Sequence, residues 1–234
     1  MATQTRGGRT AILEGAIRRF MAVGYHGASV RDIAKECGVT LPAIYYHFAS
    51  KQEILQEIMV TVLTDVIADT VAAVEGAGDD PSEQLSALMR AWVLFHTHRR
   101  AEATVGASEL RSLDDAGLRR IIALRDEAES TFRVVIDRGA KQGVFTTPYP
   151  VEASRAVIAM GRTVVDWYHL GGPTTPEALA DTYAHLALSV VGSSAEAPKA
   201  RRQPRKAAAQ SRTTAARSIP RASAPPGKDM RRGT

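Results

Sequence analysis

Residues 38 to 48 read GVTLPAIYYHF, a run that ends with the polar-tipped rings of Tyr45, Tyr46 and His47 in succession. A buried position favours side chains without polar atoms, so two phenols and an imidazole on one short element call for partners outside the core. Phenol and hydroxyl groups suit phosphate oxygens, while Leu41, Pro42 and Ala43 just ahead of them suit a thymine methyl. No comparable set for covalent or acid–base chemistry is found. The chain has no nucleotide-binding glycine fingerprint and no G-x-S-x-G, and His96 and His98 diverge on a helix instead of converging on a metal. Glu109, Arg111, Asp166 and His169 are scattered polar residues. No catalytic residue, metal or cofactor is therefore expected, and the protein is not expected to be an enzyme.

The elements that position the ring cluster follow from helical periodicity, and the chain has no convincing strand alternation or internal repeat. Ile12, Leu13, Ala16, Ile17 and Phe20 recur at three- and four-residue steps, predicting a first helix from Thr10 to about Val23, ended by Gly24. Ser29, with Asp32 three residues on, caps a second helix that runs to Cys37, and Gly38 closes it in a left-handed conformation. Thr40 caps the third, which places Pro42 in the first turn, where its missing N–H costs nothing. Ile44 and Phe48 then face inward, with Leu41, Pro42, Tyr45 and Tyr46 outward. The result is a helix-turn-helix. Ser50 and Glu53 form a further capping box at the start of a fourth helix that runs towards Val74. Beyond a break at residues 76 to 82, longer helices are expected over about 82–99, 102–113, 115–142, 151–170 and 176–192.

Composition limits what such a chain can do. Of its 234 residues 44% are hydrophobic, enough for a packed core, and the single Cys37 excludes an internal disulfide framework. No apolar run approaches the roughly 20 residues of a membrane span, and no apolar stretch follows the N-terminal basic residues as in a signal peptide, so a cytoplasmic protein with no membrane partner is expected. Charge is segregated. Residues 1–50 carry a balance of +3, residues 51–194 one of −7, and residues 195–234 one of +9. Two basic ends around an acidic middle suggest that a polyanion meets the ends. The last forty residues are poor in large apolar side chains and read as a disordered basic tail, either a non-specific DNA tether or a solvated end without a role.

V-R-D-I-A at 30 to 34, G-V-T-L-P-A-I-Y-Y-H-F at 38 to 48 and S-K-Q-E-I-L at 50 to 55 together resemble the DNA-binding domain of the tetracycline-repressor (TetR-like) family of bacterial transcription regulators, over about residues 8 to 60. The resemblance implies an all-α fold of about nine helices. A three-helix helix-turn-helix domain would occupy residues 1–50 and a helical effector-binding and dimerisation domain residues 51–194, with helix 51–75 connecting the two and the tail at 195–234. It also implies a homodimer on a palindromic double-stranded DNA operator, released by a small-molecule effector. Carried across, it sets Leu41, Pro42, Ala43 and Tyr45 nearest the bases, and Thr40, Tyr46, His47 and Lys51 on the backbone. Arg31 would reach DNA and Ser29 a phosphate. Other readings stay open: Tyr45 as a core tyrosine, a structural hydrogen bond for His47, a solvated Lys51, and a small buried Cys37.

In the second half, Leu85, Leu88, Met89, Trp92 and Phe95 form one stripe, and Arg125 falls inside the stripe of Ile121, Leu124, Ala128, Phe132 and Val135. An arginine there needs either Glu129, one turn on, or an anionic ligand. R-A-W-V-L-F-H at 90 to 96 and W-Y-H-L-G-G-P-T-T-P at 167 to 176 also resemble, more weakly, family members that govern lipid catabolism and respond to acyl-CoA thioesters. That resemblance implies a pocket lined by Trp92, Phe95, His96, Ile121, Phe132, Met160, Val164 and Trp167, with Arg125 or Arg162 for a phosphate or thioester. Each of these residues also reads as ordinary core. Small residues on the 151–170 helix, and the stripe of Leu179, Tyr183, Leu186 and Val190 on the last, point to a dimer interface through the last two helices. The alternative for the whole chain is an architectural, non-specific DNA-binding protein without an effector.

Overall fold

Ile12, Ala16 and Phe20, spaced one turn apart, are all buried, and the face they form seats α1 (Ala2–Gly27) against the next two helices. The computed structural model describes residues 2–193, with side chains from Gly8 on; the basic tail expected at 195–234 lies outside the described residues. Gly24 interrupts α1 as expected. At φ 73° and ψ 165° it takes a conformation open to glycine, and a last turn beyond it buries Tyr25. α2 (Val30–Cys37) starts on the Ser29 capping box and stops at Gly38, which is left-handed at φ 67°. α3 (Leu41–His47) has Thr40 as its N-cap and Pro42 in the first turn, and ends where Phe48 turns extended.

α4 (Lys51–Gly76) leads to α5 (Pro81–His98), α6 (Arg100–Ser108), a 3-10 turn (Leu110–Ser112) and α7 (Asp115–Lys141). The Ser50 hydroxyl accepts from Glu53 N as expected, but the Glu53 carboxylate turns back to Ala49 N (2.6 Å), one residue beyond the usual box partner.

The helix expected over 151–170 is broken in two: α8 (Pro150–Arg162) and the single turn α9 (Val164–Trp167). Thr163 opens a β-branched run, and its hydroxyl donates to the Met160 carbonyl (3.0 Å), the oxygen that the Val164 N–H would take in a continuing helix. α10 (Pro176–Val190) closes the bundle against α5 and α8. No strand occurs among the described residues, only a single bridge between Phe145 and Ser193.

Two cores result. One joins Ile12, Phe20, Ile33, Ile44 and Phe48 of the first three helices to Ile54, Leu55, Ile58 and Met59 of α4, and is completed by Val105 and Ile121. The other packs the rest of α4 with α5, α7, α8 and α10 around Leu88, Met89, Phe132 and Val157. The first core thus extends well past residue 50.

Candidate functional site

Two regions carry the residues singled out from sequence. On α3, Ile44 and Phe48 are buried, and this turns Tyr45 (52% exposed), Tyr46 (77%) and Pro42 to solvent, with Leu41 and Ala43 half-buried beside them. Thr40 Oγ1 accepts from Ala43 N at 3.4 Å and keeps its own hydrogen to donate elsewhere. His47 is half-buried and meets the Tyr46 ring edge-on at 5.0 Å. Arg31 is exposed on α2.

Two members of the expected DNA set are otherwise engaged. Ser29 Oγ accepts from Asp32 N (3.1 Å) while its hydrogen goes to Asp32 Oδ2 (2.6 Å), so the hydroxyl is spent on the cap instead of facing a phosphate. Lys51 Nζ donates to the carbonyls of Tyr25 (2.8 Å) and Ala28 (2.7 Å) and lies 4.1 Å from the Tyr25 ring centroid. Two of its three donors therefore hold the turn between α1 and α2, and burial lowers its pKa. Lys51 is thus not a freely solvated lysine.

Sequence reasoning missed Arg9. It makes a two-pronged pair with Glu57 (2.7 and 2.6 Å) and donates to the His47 carbonyl (2.8 Å), with its guanidinium 4.3 Å from the Phe48 ring centroid. These bonds tie α1 and α4 to the end of α3 and fix the helix that presents the tyrosines. The fork-to-carboxylate bond raises the Arg9 pKa and lowers that of Glu57. Cys37 is half-buried, its thiol donating to the Ala11 carbonyl at 3.4 Å, and burial pushes its pKa up, away from a reactive thiolate.

The second region is a cavity between α4, α5, α6, α7 and the α8/α9 junction. Of the expected lining residues, Trp92, Phe95, His96, Ile121, Arg125 and Arg162 are there. Phe132 and Val164 are instead fully buried in the core, and Met160 packs against that core. Trp167 is half-exposed and stacks on Tyr183, because the break at Thr163 carries it away from the line of α8. The lining that went unread comes from α4 (Met59, Val62, Leu63, Val66), from the small residues of α6 (Ala103, Gly106, Ala107) and from Ala128, Glu129 and Val165. A signal for α6 was present: alanine, glycine and alanine at 103, 106 and 107 leave one helix face without bulk.

The expected ion pair between Arg125 and Glu129 does not form; Glu129 lies 3.9 Å from Arg133. Arg125 Nη2 instead donates to the Gly106 carbonyl on α6 at 2.7 Å. Its pKa is lowered by burial and then by the charge of Arg162, with Glu129 opposing. Arg162 has no carboxylate partner within salt-bridge distance among the described residues. Deeper in, Trp92 Nε1 donates to the Ile158 carbonyl (3.3 Å), and its ring occupies space that any side chain at Gly161 would invade, since a Cβ there would lie 2.5 Å from Trp92 Cδ1. His96 is buried against Trp92 and Phe95, and burial pushes its pKa down to about 4.

Polar contacts also reach from the cavity to the head. α6 lines the cavity, and just past its end Glu109 accepts from Tyr25 N (3.3 Å) while Ser112 Oγ meets His26 Nε2 (3.2 Å). Gln52 and Gln56 of α4 bond to Ser112 and Asp114.

A helix-turn-helix head with outward tyrosines, set on a helical bundle that encloses a cavity, defines a class of DNA-binding transcription regulators. A family model described as "Bacterial regulatory proteins, tetR family" matches residues 12–58, and one described as "Tetracyclin repressor-like, C-terminal domain" matches residues 78–191. The chain belongs to the TetR family, whose members bind operator DNA as dimers. It is 34% identical to the solved TetR-family regulator PfmR from Thermus thermophilus, covering 76% of this chain and 97% of that one at a TM-score of 0.71. A tetR-family regulatory protein from Rhodococcus is 29% identical, with 80% and 98% coverage and a TM-score of 0.75. The HTH-type transcriptional repressor KstR2 of Mycobacterium tuberculosis is 28% identical over 190 residues, which is 80% of this chain and 94% of that protein.

Proposed function

We propose that the protein is a cytoplasmic, non-enzymatic repressor that leaves a palindromic operator when a small lipid-like anion, such as an acyl-CoA, enters the cavity. The observation that carries this reading is the continuity of α6. It lines the cavity, it is held by Arg125 through the Gly106 carbonyl, and the segment that follows it bonds to Tyr25 and His26 of the head. An anion drawn between Arg125 and Arg162 competes with that carbonyl for the guanidinium and biases the position of α6. Two recognition helices must lie roughly 34 to 36 Å apart to enter successive major grooves, so a ligand that prefers another spacing lowers operator affinity by its differential binding energy.

Within this reading Thr40, Leu41, Pro42, Ala43, Tyr45, Tyr46, His47 and Arg31 form the DNA surface, on a head of residues 1–50 whose connecting helix begins the effector-binding and dimerisation part. The outward Leu186 and Val190 on α10, with Val151 on α8, support pairing of two copies through the last helices. The apolar cavity lining supports a lipid-like ligand, and KstR2, a likeness at the level of sequence, is named a ketosteroid transcriptional regulator.

The test is selection of operator sequences by the full-length protein, followed by competition with random duplex at physiological salt. Specific binding that is reversed by acyl-CoAs or free fatty acids is the expected result. Equal affinity for random and selected duplex would sink the regulator reading in favour of an architectural DNA-binding protein.

A further inference from the structure

His96 is the polar group of the cavity wall that the release mechanism leaves unused. Its Nδ1 lies 2.7 Å from the Trp92 carbonyl oxygen one turn earlier on α5, and because a carbonyl only accepts, Nδ1 carries the proton. The ring is wedged between Trp92 and Phe95, with centroids 4.6 and 5.4 Å away, and these neighbours hold its orientation. Nε2 makes no hydrogen bond within the described protein, and of the donors in the same wall only Arg162 has no partner among the described residues, a guanidinium that an acidic ligand would claim. The Trp92 N–H is given to Ile158, and Arg125 is turned to Gly106. Burial and the charge of Arg162 keep the imidazole neutral, so Nε2 presents a lone pair. An acceptor that faces a cavity in this way is matched best by a ligand group that donates to it.

We infer that the effector is an apolar acid that also bears a hydroxyl, the hydroxyl donating to His96 Nε2 within the cavity while the acidic group lies with Arg125 and Arg162. This rests on the cavity being the effector site. A keto oxygen at the same place faces a lone pair with its own and is disfavoured. A methylene leaves the nitrogen unmet.

Isothermal titration of the full-length protein with two matched series tests this: lithocholate, 3-oxo-5β-cholanate and 5β-cholanate on a rigid frame, and 16-hydroxyhexadecanoate with hexadecanoate on a linear one. In at least one series the hydroxylated acid binds roughly tenfold more tightly than its analogues. His96→Phe abolishes that preference, read as the ratio of the affinities for the hydroxylated and unsubstituted acids, and His96→Gln, which keeps an acceptor, restores part of the ratio and guards against a folding defect. Acids that bind with no hydroxyl preference, or a preference that survives His96→Phe, overturn the inference alone. If no acid of either series binds or releases operator DNA, the cavity reading falls and takes this inference with it.

Discussion

Tyr46 shows how far a residue can be committed to a partner outside the fold. It is 77% exposed, and the one contact described for it is the edge of the His47 ring. Tyr46→Ala should therefore leave stability within about 0.5 kcal/mol by thermal denaturation. Operator affinity in a gel-shift assay should fall roughly tenfold, as expected on losing a backbone-positioning contact. Lys51 predicts the opposite balance. Removing the ammonium from the Tyr25 and Ala28 carbonyls by Lys51→Met should cost about 1 to 2 kcal/mol in chemical denaturation, while the salt dependence of DNA binding keeps its slope. The outward rings were legible because polar tips on an otherwise amphipathic turn have one sensible direction. The engagement of Lys51 was not, because its acceptors are backbone carbonyls of a turn more than twenty residues away, which spacing does not reveal. At His96 the folded-state pKa of about 4 lies below the ordinary 6.5, so the unfolded chain takes up the proton first. Its contribution to stability is complete above about pH 6.5 and is lost as pH falls towards 4, an effect of about 3 kcal/mol. The loss of melting temperature between pH 7 and pH 4.5 should accordingly be smaller in His96→Phe than in the native protein; an equal loss in both would contradict the neutral, buried imidazole.

At the scale of elements, caps and breakers carried most of the legible fold. Ser29, Thr40 and Ser50 start helices where their hydroxyls accept the orphan N–H groups, and Gly38 ends one with a positive φ. The break within the 151–170 run escaped because Thr163 is an ordinary residue whose effect lies in one hydroxyl directed at Met160. That break decides which side chains reach the cavity, placing Arg162 and Val165 there and leaving Trp167 outside. Gly161 of α8 leaves no room for a side chain. Alanine there meets Trp92 Cδ1 at 2.5 Å and Met89 Cε at 2.8 Å, so Gly161→Ala should cost about 1 to 3 kcal/mol, read as a lower denaturation midpoint. Because Trp92 also lines the cavity, the same substitution should weaken effector binding and leave operator binding by the folded fraction intact.

Over the whole molecule, α4 belongs to both cores: Ile54, Leu55, Ile58 and Met59 complete the head, and Val62 and Val66 enter the bundle. Val105 and Ile121, far along the chain, also bury themselves in the core of the head. A peptide of residues 1–50 lacks all of these partners and should show little helical ellipticity in circular dichroism, since short helices in water depend on packing of their apolar face. Sequence periodicity found the helices, but it could not say that they share a core, because contacts between distant segments leave no periodic mark. The same sharing sets a rule for building hybrid sensors from this family member. A graft joined at residue 50 transplants three helices without the floor they rest on, whereas one joined in the 77–80 loop carries α4 with its head and still leaves two holes, where Val105 and Ile121 stood, for the recipient bundle to fill.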